Sequence, residues 1–353
     1  MTKEFVREAR PARRIRPTSF DVAELAGVSQ STVSRALAGD PVVSQRTRER
    51  VQQAANELNY FIDQNATRLR TGRTGVIAVI VICRPGELKE DMNPFYYSLL
   101  GNICSAISAA GFDSLVSFED GQKNLNGYYE SNRRADGLIV MGTAENVEAW
   151  SHYREVAESG AHLVCWGAPY PDQNWVRSDN ARGGQLAGQL LIDRGYRKIV
   201  HVGSETALQG QYRERYDGYC AALREAGLEP RIVQIDPSLL RIEQGRKAVA
   251  DMVEQGLEFD AVFAACDQIA IGVMQELQAR GIRVPEQVGV VGFDGNRAGE
   301  HVVPALTSIE PDLALAAQLL VGHLRAMLDG EKIDDWLVPV HPVIRQSARG
   351  PAA

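Results

Sequence analysis

The stretch Thr18-Ser-Phe-Asp-Val-Ala-Glu-Leu-Ala-Gly-Val-Ser-Gln-Ser-Thr-Val-Ser-Arg-Ala-Leu37 constrains the fold of this 353-residue chain more than any other. It reads as two short helices joined at a glycine, the layout of a helix-turn-helix that places its second helix in a DNA groove. Thr18 with Asp21 three residues later makes a capping-box-like start, an acceptor side chain facing the free N–H groups of a first turn. Val22, Ala23 and Ala26 keep one helix face small and apolar, so a second helix can cross closely. Gly27 supplies the sharp turn, because glycine takes a left-handed backbone without a Cβ penalty. Ser29 is placed as N-cap of the second helix, whose Val33 and Leu37 point to the core at i, i+4 spacing. Gln30, Ser31, Ser34 and Arg35 are left facing outward, and they donate and accept hydrogen bonds as major-groove base edges require. A plain helical hairpin with a polar face is the competing reading of these residues, and the neighbouring segments decide between the two.

After the loop Ala38-Gly-Asp-Pro-Val42, Ser44 is placed to cap a third helix with Val51, Ala55 and Leu58 on one face. Taken together, Asp-Val-Ala-x-Leu-Ala-Gly-Val-Ser-x-x-Thr-Val-Ser-Arg-x-Leu, then Val-Ser-x-x-Thr-Arg-x-x-Val, then Leu-Asn-Tyr ending at Tyr60, resembles the LacI/GalR family of bacterial repressors. The resemblance implies a basic disordered arm over residues 1–17, a helix-turn-helix headpiece over 18–61, a hinge helix over 62–74, and an effector-binding core over 75–353. It implies DNA contacts by Thr18, Ser29, Gln30, Ser31, Thr32, Ser34 and Arg35. Ala66 and Leu69 match the family's minor-groove residues, with Leu69 as an apolar wedge in the central base step. The hinge departs from the family pattern in carrying Ile62 and Asp63 where Pro-Asn is usual, and Thr67 where Arg is common. A β-branched, uncharged Thr is a poor helix former and offers nothing to a phosphate.

Charge is unevenly placed. Residues 1–74 hold 13 Lys and Arg against 8 Asp and Glu, leaving 25 against 37 in the remainder, within an overall net charge of −7. A basic head on an acidic body suits a protein that sets one end on phosphates and keeps the rest away. Arg7, Arg10, Arg13, Arg14 and Arg16 in the arm either add non-specific phosphate attraction or form an idle solvated tail. The N-terminus lacks the apolar run of a secretory signal, and no segment approaches a membrane span, so a cytoplasmic location is expected. Cys83, Cys104, Cys165, Cys220 and Cys266 lie far apart with no CxxC or Cys/His clustering, which fits free thiols and argues against a metal site.

From Gly75 onward, short Val- and Ile-rich runs alternate with amphipathic stretches. Strands are expected at Val76–Ile82, Phe112–Phe118, Gly137–Met141, His162–Trp166, Lys198–Val202, Arg231–Ile235, Ala261–Ala265 and Val288–Phe293. Helices are expected at Tyr96–Ala110, Ala181–Arg194, Gln211–Ala226, Gln244–Gln255 and Ile269–Arg280. Alternation of this kind predicts right-handed βαβ units, and the number of strands fits two doubly wound parallel sheets better than one. The expected fold is therefore α/β, a three-helix headpiece followed by a two-lobed core with a ligand cleft at the carboxyl ends of the strands. Ser178-Asp-Asn-Ala-Arg-Gly-Gly184, Cys266-Asp-Gln-Ile-Ala-Ile-Gly272, Val291-Gly-Phe-Asp294 and Pro304-Ala-Leu-Thr-Ser-Ile309 also resemble the LacI/GalR core. By that resemblance the chain crosses between lobes near Ser178, Asp294 and Gly330. Lobe 1 is then about 75–177 with 294–329, and lobe 2 about 178–293 with 330–353.

The resemblance assigns the effector to Arg215 and Asp267, with Phe95, Tyr96 and Trp166 as stacking surfaces. A guanidinium offers five fixed donors to a polyhydroxyl ligand, and a carboxylate accepts from it. Each has a plain alternative: a surface ion-pair arginine, a helix N-cap for Asp267, and core packing for the three aromatics. A nucleotide-binding enzyme is disfavoured because no strand leads into GxGxxG or GxxxxGK[ST], and no nucleophile–base set or paired acids stand out. No cofactor is expected. A transport receptor of the same two-lobed fold would need a signal peptide and no headpiece. The expected protein is a homodimeric regulator on pseudo-palindromic operator DNA, controlled by a small-molecule effector, with a sugar or sugar phosphate as the family's commonest ligand and a nucleobase second. No leucine-heptad tail follows Arg345, so a tail-zippered tetramer is not expected.

Overall fold

Helices α1 (Ser19–Ala26), α2 (Gln30–Leu37) and α3 (Gln45–Glu57) form the N-terminal unit. The computed structural model describes residues 17–60, 73–86, 88, 91–121, 125, 127–170, 172–205 and 210–350. Thr18 and Asp21 make the reciprocal capping box, the Thr18 N–H donating to Asp21 Oδ2 at 2.7 Å and the Asp21 N–H to Thr18 Oγ1 at 3.4 Å. Gly27 ends α1 in the left-handed region at φ 61°, a conformation that carries a Cβ penalty for other residues. Ser29 and Ser44 cap α2 and α3 by accepting from the Thr32 and Thr47 N–H groups. The small core joins Val22, Ala23 and Ala26 of α1 to Val33 and Ala36 of α2 and Val51, Ala54 and Ala55 of α3. So many alanines let the three axes approach closely, and they leave the outer faces to polar side chains.

The chain divides between Gly72 and Arg73, and the second unit holds two sheets. In chain order its first elements are β1 (Val76–Ile82), α4 (Pro94–Ala109), β2 (Asp113–Glu119), β3 (Gly137–Gly142), α5 (Val147–Glu158), β4 (Leu163–Trp166) and β5 (Trp175–Ser178). There follow α6 (Asn180–Asp193), β6 (Ile199–Gly203), α7 (Gly210–Glu225), β7 (Ile232–Gln234), α8 (Arg241–Glu254), β8 (Ala261–Ala264), α9 (Asp267–Ala279) and β9 (Gly289–Phe293). The last are α10 (Ala298–His301), β10 (Thr307–Pro311), α11 (Leu313–Leu328), β11 (Trp336–Val338) and β12 (Val340–Val343).

Lobe 1 is the parallel sheet β11-β5-β4-β3-β1-β2. Alternate residues of β1 serve both of its faces. Ile77, Val79 and Val81 pack under α4 and α11, while Ala78, Ile80 and Ile82 pack against Trp150 and Tyr153 of α5. Lobe 2 is the sheet β12-β10-β9-β8-β6-β7, parallel except where β12 runs antiparallel to β10. Helices α6 and α7 cover one face, and α8 and α9 the other. A Cβ on Gly184 would collide with the Arg215 carbonyl, and one on Gly218 with the Ala181 carbonyl, so α6 and α7 cross backbone to backbone.

Two of the expected lobe crossings are corrected by the pairing. The chain passes from β5 of lobe 1 into α6 of lobe 2 just after Ser178. It does not cross at Asp294: β10 pairs in parallel with β9, Thr307 opposite Val291, so residues 294–306 leave lobe 2 only to return to it. The true crossing falls between Pro311 and Leu313. Gly330, at φ 78°, merely ends α11, and β11 pairs with β5 in lobe 1 before the chain crosses back at Pro339 into β12. Strands β5, β10 and β12 are interrupted by polar residues or proline and β11 is only three residues long, so they carry too little apolar signal to be read as core strands.

Candidate functional site

On α2, Gln30, Ser31 and Arg35 are exposed, Thr32 and Ser34 half-buried, while Val33 and Ala36 turn inward. Ser29 is engaged locally, its Oγ lying 2.9 Å from Ser31 Oγ and 2.8 Å from Thr32 Oγ1. Gln30 Nε2 donates to Ser19 Oγ at 3.2 Å, which steadies the outward amide against α1. Thr18 stays exposed but spends its hydroxyl on Asp21. The result is a polar helix face with both donors and acceptors on rigid, capped turns, chemistry matched to base edges and phosphates. Ala66 and Leu69 lie outside the described residues.

The second site is a cavity where the two lobes meet, at the carboxyl ends of β1, β3, β4, β5 and β9. Arg215, in the second turn of α7, is 5% exposed and lines the cavity. Its Nε donates to Asn180 Oδ1 at 3.0 Å and its Nη1 to the Ala265 carbonyl at 2.5 Å. Nη1 also lies 3.4 Å from Asp294 Oδ1, and the guanidinium carbon stands 3.6 Å from the Phe293 ring centroid. These contacts fix the fork in one plane, as recognition of a hydroxylated ligand requires. Asp294, at the end of β9, takes a left-handed backbone at φ 109°, an unusual conformation for a residue with a side chain. Burial pushes its carboxyl above the ordinary range, against the pull of Arg215. From lobe 1, Asn93 reaches across: its Nδ2 donates to Asp294 Oδ2 at 3.0 Å, while its Oδ1 caps α4 by accepting from the Phe95 N–H.

Phe95, Tyr96 and Trp166 form the lobe 1 wall. Phe95 meets Tyr96 edge-on at 5.6 Å and tilts toward Trp166 at 5.9 Å. Phe95 and Trp166 are buried and continue into the lobe core, and Tyr96 is the more exposed of the three. The core and lining readings therefore both hold for this cluster. A third feature, read from no motif, is the acid Glu145 between two arginines. Its Oε1 lies 2.7 Å from Nη2 of Arg241 in lobe 2, and its Oε2 lies 3.5 Å from Nε of Arg84 in lobe 1. Arg84 also donates across the cleft to the carbonyls of Pro237 and Leu239.

Asp267 does not reach the cavity. It is the first residue of α9, after Cys266 in the N-cap position, and it is fully buried within lobe 2. Its Oδ1 accepts from Ser308 Oγ and its Oδ2 from the Asn296 N–H, each at 2.6 Å, so both oxygens are spent on the segment that follows Asp294. The acceptor facing Arg215 is Asp294 instead. Asp294, Glu145 and Arg84 all lie at or just beyond strand carboxyl ends, and that rule alone could have singled them out. Arg241, at the start of α8, and Asn93, before Pro94, carried no such signal.

Residues 20–62 match the profile described as bacterial regulatory proteins, lacI family, and residues 189–348 match the periplasmic binding protein-like domain. The HTH-type transcriptional regulator CelR of Thermobifida fusca is 31% identical over 346 residues, covering 95% of this chain and 99% of that protein. The ribose operon repressor of Escherichia coli K12 is 28% identical, over 93% of this chain and 98% of its own length. A solved structure of a CelR–cellobiose complex, 29% identical, superposes with a TM-score of 0.68 over 94% of this chain and all of that one.

Proposed function

The chain belongs to the lacI family of bacterial regulatory proteins, DNA-binding transcriptional regulators rather than enzymes, and from that premise we propose that it is a repressor controlled by a carbohydrate in the interlobe cleft. The observation that carries the ligand reading is the buried Arg215–Asp294 pair, a forked donor beside a charged acceptor, walled by Tyr96, Phe95 and Trp166. A sugar presents hydroxyls to the first and C–H faces to the second. The CelR–cellobiose complex and the ribose operon repressor favour a neutral sugar of one or two rings.

On DNA, we assign base reading to Gln30, Ser31 and Arg35 at the start and middle of α2, with Thr18, Ser29, Thr32 and Ser34 shaping that surface and its phosphate contacts. Ala66 and Leu69 are assigned to the minor groove on the family resemblance alone. Two copies would occupy a pseudo-palindrome, one α2 in each of two successive major grooves. Ligand binding shifts the angle between lobes and thereby the operator affinity, a coupling of about 1–3 kcal/mol. Such a protein acts where the chromosome is, in the cytoplasm. No helix among the described residues is long and apolar enough to cross a membrane.

Isothermal titration of the full chain with cellobiose and with ribose, followed by operator binding at saturating sugar, tests this. One of them should bind in the wild type and fail to bind after Arg215→Ala, with operator binding retained. Unchanged sugar affinity in that variant places the site elsewhere.

A further inference from the structure

Among the described residues, the cavity is lined by three guanidinium groups and two carboxylates. Arg215 faces Asp294, and Glu145 contacts both Arg84 and Arg241. Glu145 stands on the loop after β3, and its two oxygens point to different arginines, one from each lobe. Its backbone is fixed as well: the Glu145 N–H donates to Thr143 Oγ1 at 3.3 Å, and the next residue, Asn146, caps α5. Arg241 is held in turn, its Nη1 donating to Gln244 Oε1 at 3.1 Å and its guanidinium carbon 5.5 Å from the Tyr212 ring centroid. Its side chain is only 14% exposed. Two oriented guanidiniums converging on one acid are the arrangement with which proteins bind a phosphate or carboxylate group of a ligand. Here the protein supplies that anion itself.

We propose that Glu145 is the specificity-determining residue of the cleft, occupying with its own carboxylate the position that an anionic substituent would take between Arg84 and Arg241, so that neutral sugars are admitted and phosphorylated ones refused. The proposal rests on the cleft being the ligand site. The physical basis is competition for two fixed cations. A phosphate approaching Arg84 and Arg241 must displace Glu145 and then stand beside it, two like charges in a partly buried site. A neutral sugar meets no such repulsion and leaves the bridge from Glu145 to Arg241 in place. The strand-end rule reaches Arg84 and Glu145 separately, but sequence offered no hint that they meet Arg241, which comes from the other lobe.

The test is titration of the full chain with inorganic phosphate and with glucose 6-phosphate, beside cellobiose and ribose. Wild type should bind neither anion. Glu145→Gln, which keeps the side-chain shape and removes the charge, should gain binding of both anions by about tenfold or more, and Arg241→Gln on that background should abolish the gain. Glu145→Ser is the second variant, should the glutamine prove poorly folded by near-ultraviolet circular dichroism, and it carries the same expectation. The proposal is overturned if the charge-removing variants gain no anion binding, if the gain survives Arg241→Gln, or if wild type binds phosphate equally well. Failure of every sugar to bind wild type would instead sink the cleft reading, an outcome the inorganic phosphate titration reports separately.

Discussion

Replacing Asp267 separates a ligand-contacting role from a structural one. The carboxylate accepts hydrogen bonds from the Ser308 hydroxyl and the Asn296 N–H, both at 2.6 Å, in a fully buried site. Hydrogen bonds to a charged group contribute roughly 1.5–3 kcal/mol each, so Asp267→Ala forfeits roughly 3–6 kcal/mol gross and leaves two buried donors unpaired. Part of this is offset, because burial, with Asp294 close by, disfavours the ionised form and pushes the Asp267 carboxyl well above the usual carboxylate range. The net loss should be about 2–4 kcal/mol, confined to lobe 2. Asp267→Asn should cost only about 1 kcal/mol, since an amide can accept from the Asn296 N–H and donate to Ser308 Oγ. The pH dependence has a definite sign. A folded-state pKa above the unfolded value of 3.8 means the native state holds the proton more tightly, so this contribution is full below pH 3.8 and is lost as pH rises through the folded value. Asp267→Asn should remove that slope. Urea and thermal unfolding across pH 4–8, with sugar titration alongside, measure all of it. If Asp267→Ala keeps wild-type stability while sugar binding disappears, the carboxylate belongs to the ligand and the reasoning fails.

Exchanging Gln30 and Ser31 for other polar residues should change the preferred operator by about 1–3 kcal/mol per altered base contact, leaving sugar affinity intact. Selection of sites from random DNA reads this directly, and an unaltered consensus would remove both residues from base recognition. Gly184→Ala drives a methyl into the Arg215 carbonyl and should cost about 3 kcal/mol by forcing α6 and α7 apart. Because Arg215 rides on α7, sugar affinity should fall with it, and a variant that melts like wild type would show that the two helices yield freely.

The headpiece was legible almost residue by residue, because its determinants are local. Thr18 and Asp21 are three apart, Gly27 must turn left-handed, and Ser29 and Ser44 each precede a helix by one residue. The first sheet strands were legible for a different reason: β1, β3 and β8 are buried on both faces, so they read as unbroken apolar runs. Strands β10, β11 and β12 are held by what they pair with. Thr307–Pro311 contains a glutamate and a proline, and only its register against Val291–Phe293 makes it a strand of lobe 2. Lobe crossings are decided by such pairings, which is why two of the three were misplaced.

The cleft follows the same division between local and long-range causes. Arg215 was assigned by the family resemblance, and the structure shows it to be a buried arginine of the helix Gly210–Glu225. The resemblance chose Asp267 over Asp294, and nothing local in the sequence corrects that choice, since both are acids within three residues of a strand end in one sheet. Geometry separates them: Asp267 opens a helix and its first-turn carboxylate is claimed by Ser308 and the Asn296 N–H, whereas Asp294 bends away at φ 109° and is carried out to Arg215 and Asn93. The two roles are connected. By holding the Asn296 N–H, Asp267 fixes the chain two residues beyond Asp294, and so sets where the cleft acceptor stands. Loss of Asp267 should therefore weaken sugar binding only as far as it loosens that turn, whereas loss of Asp294 removes the acceptor itself and leaves the buried Arg215 guanidinium without its counter-charge.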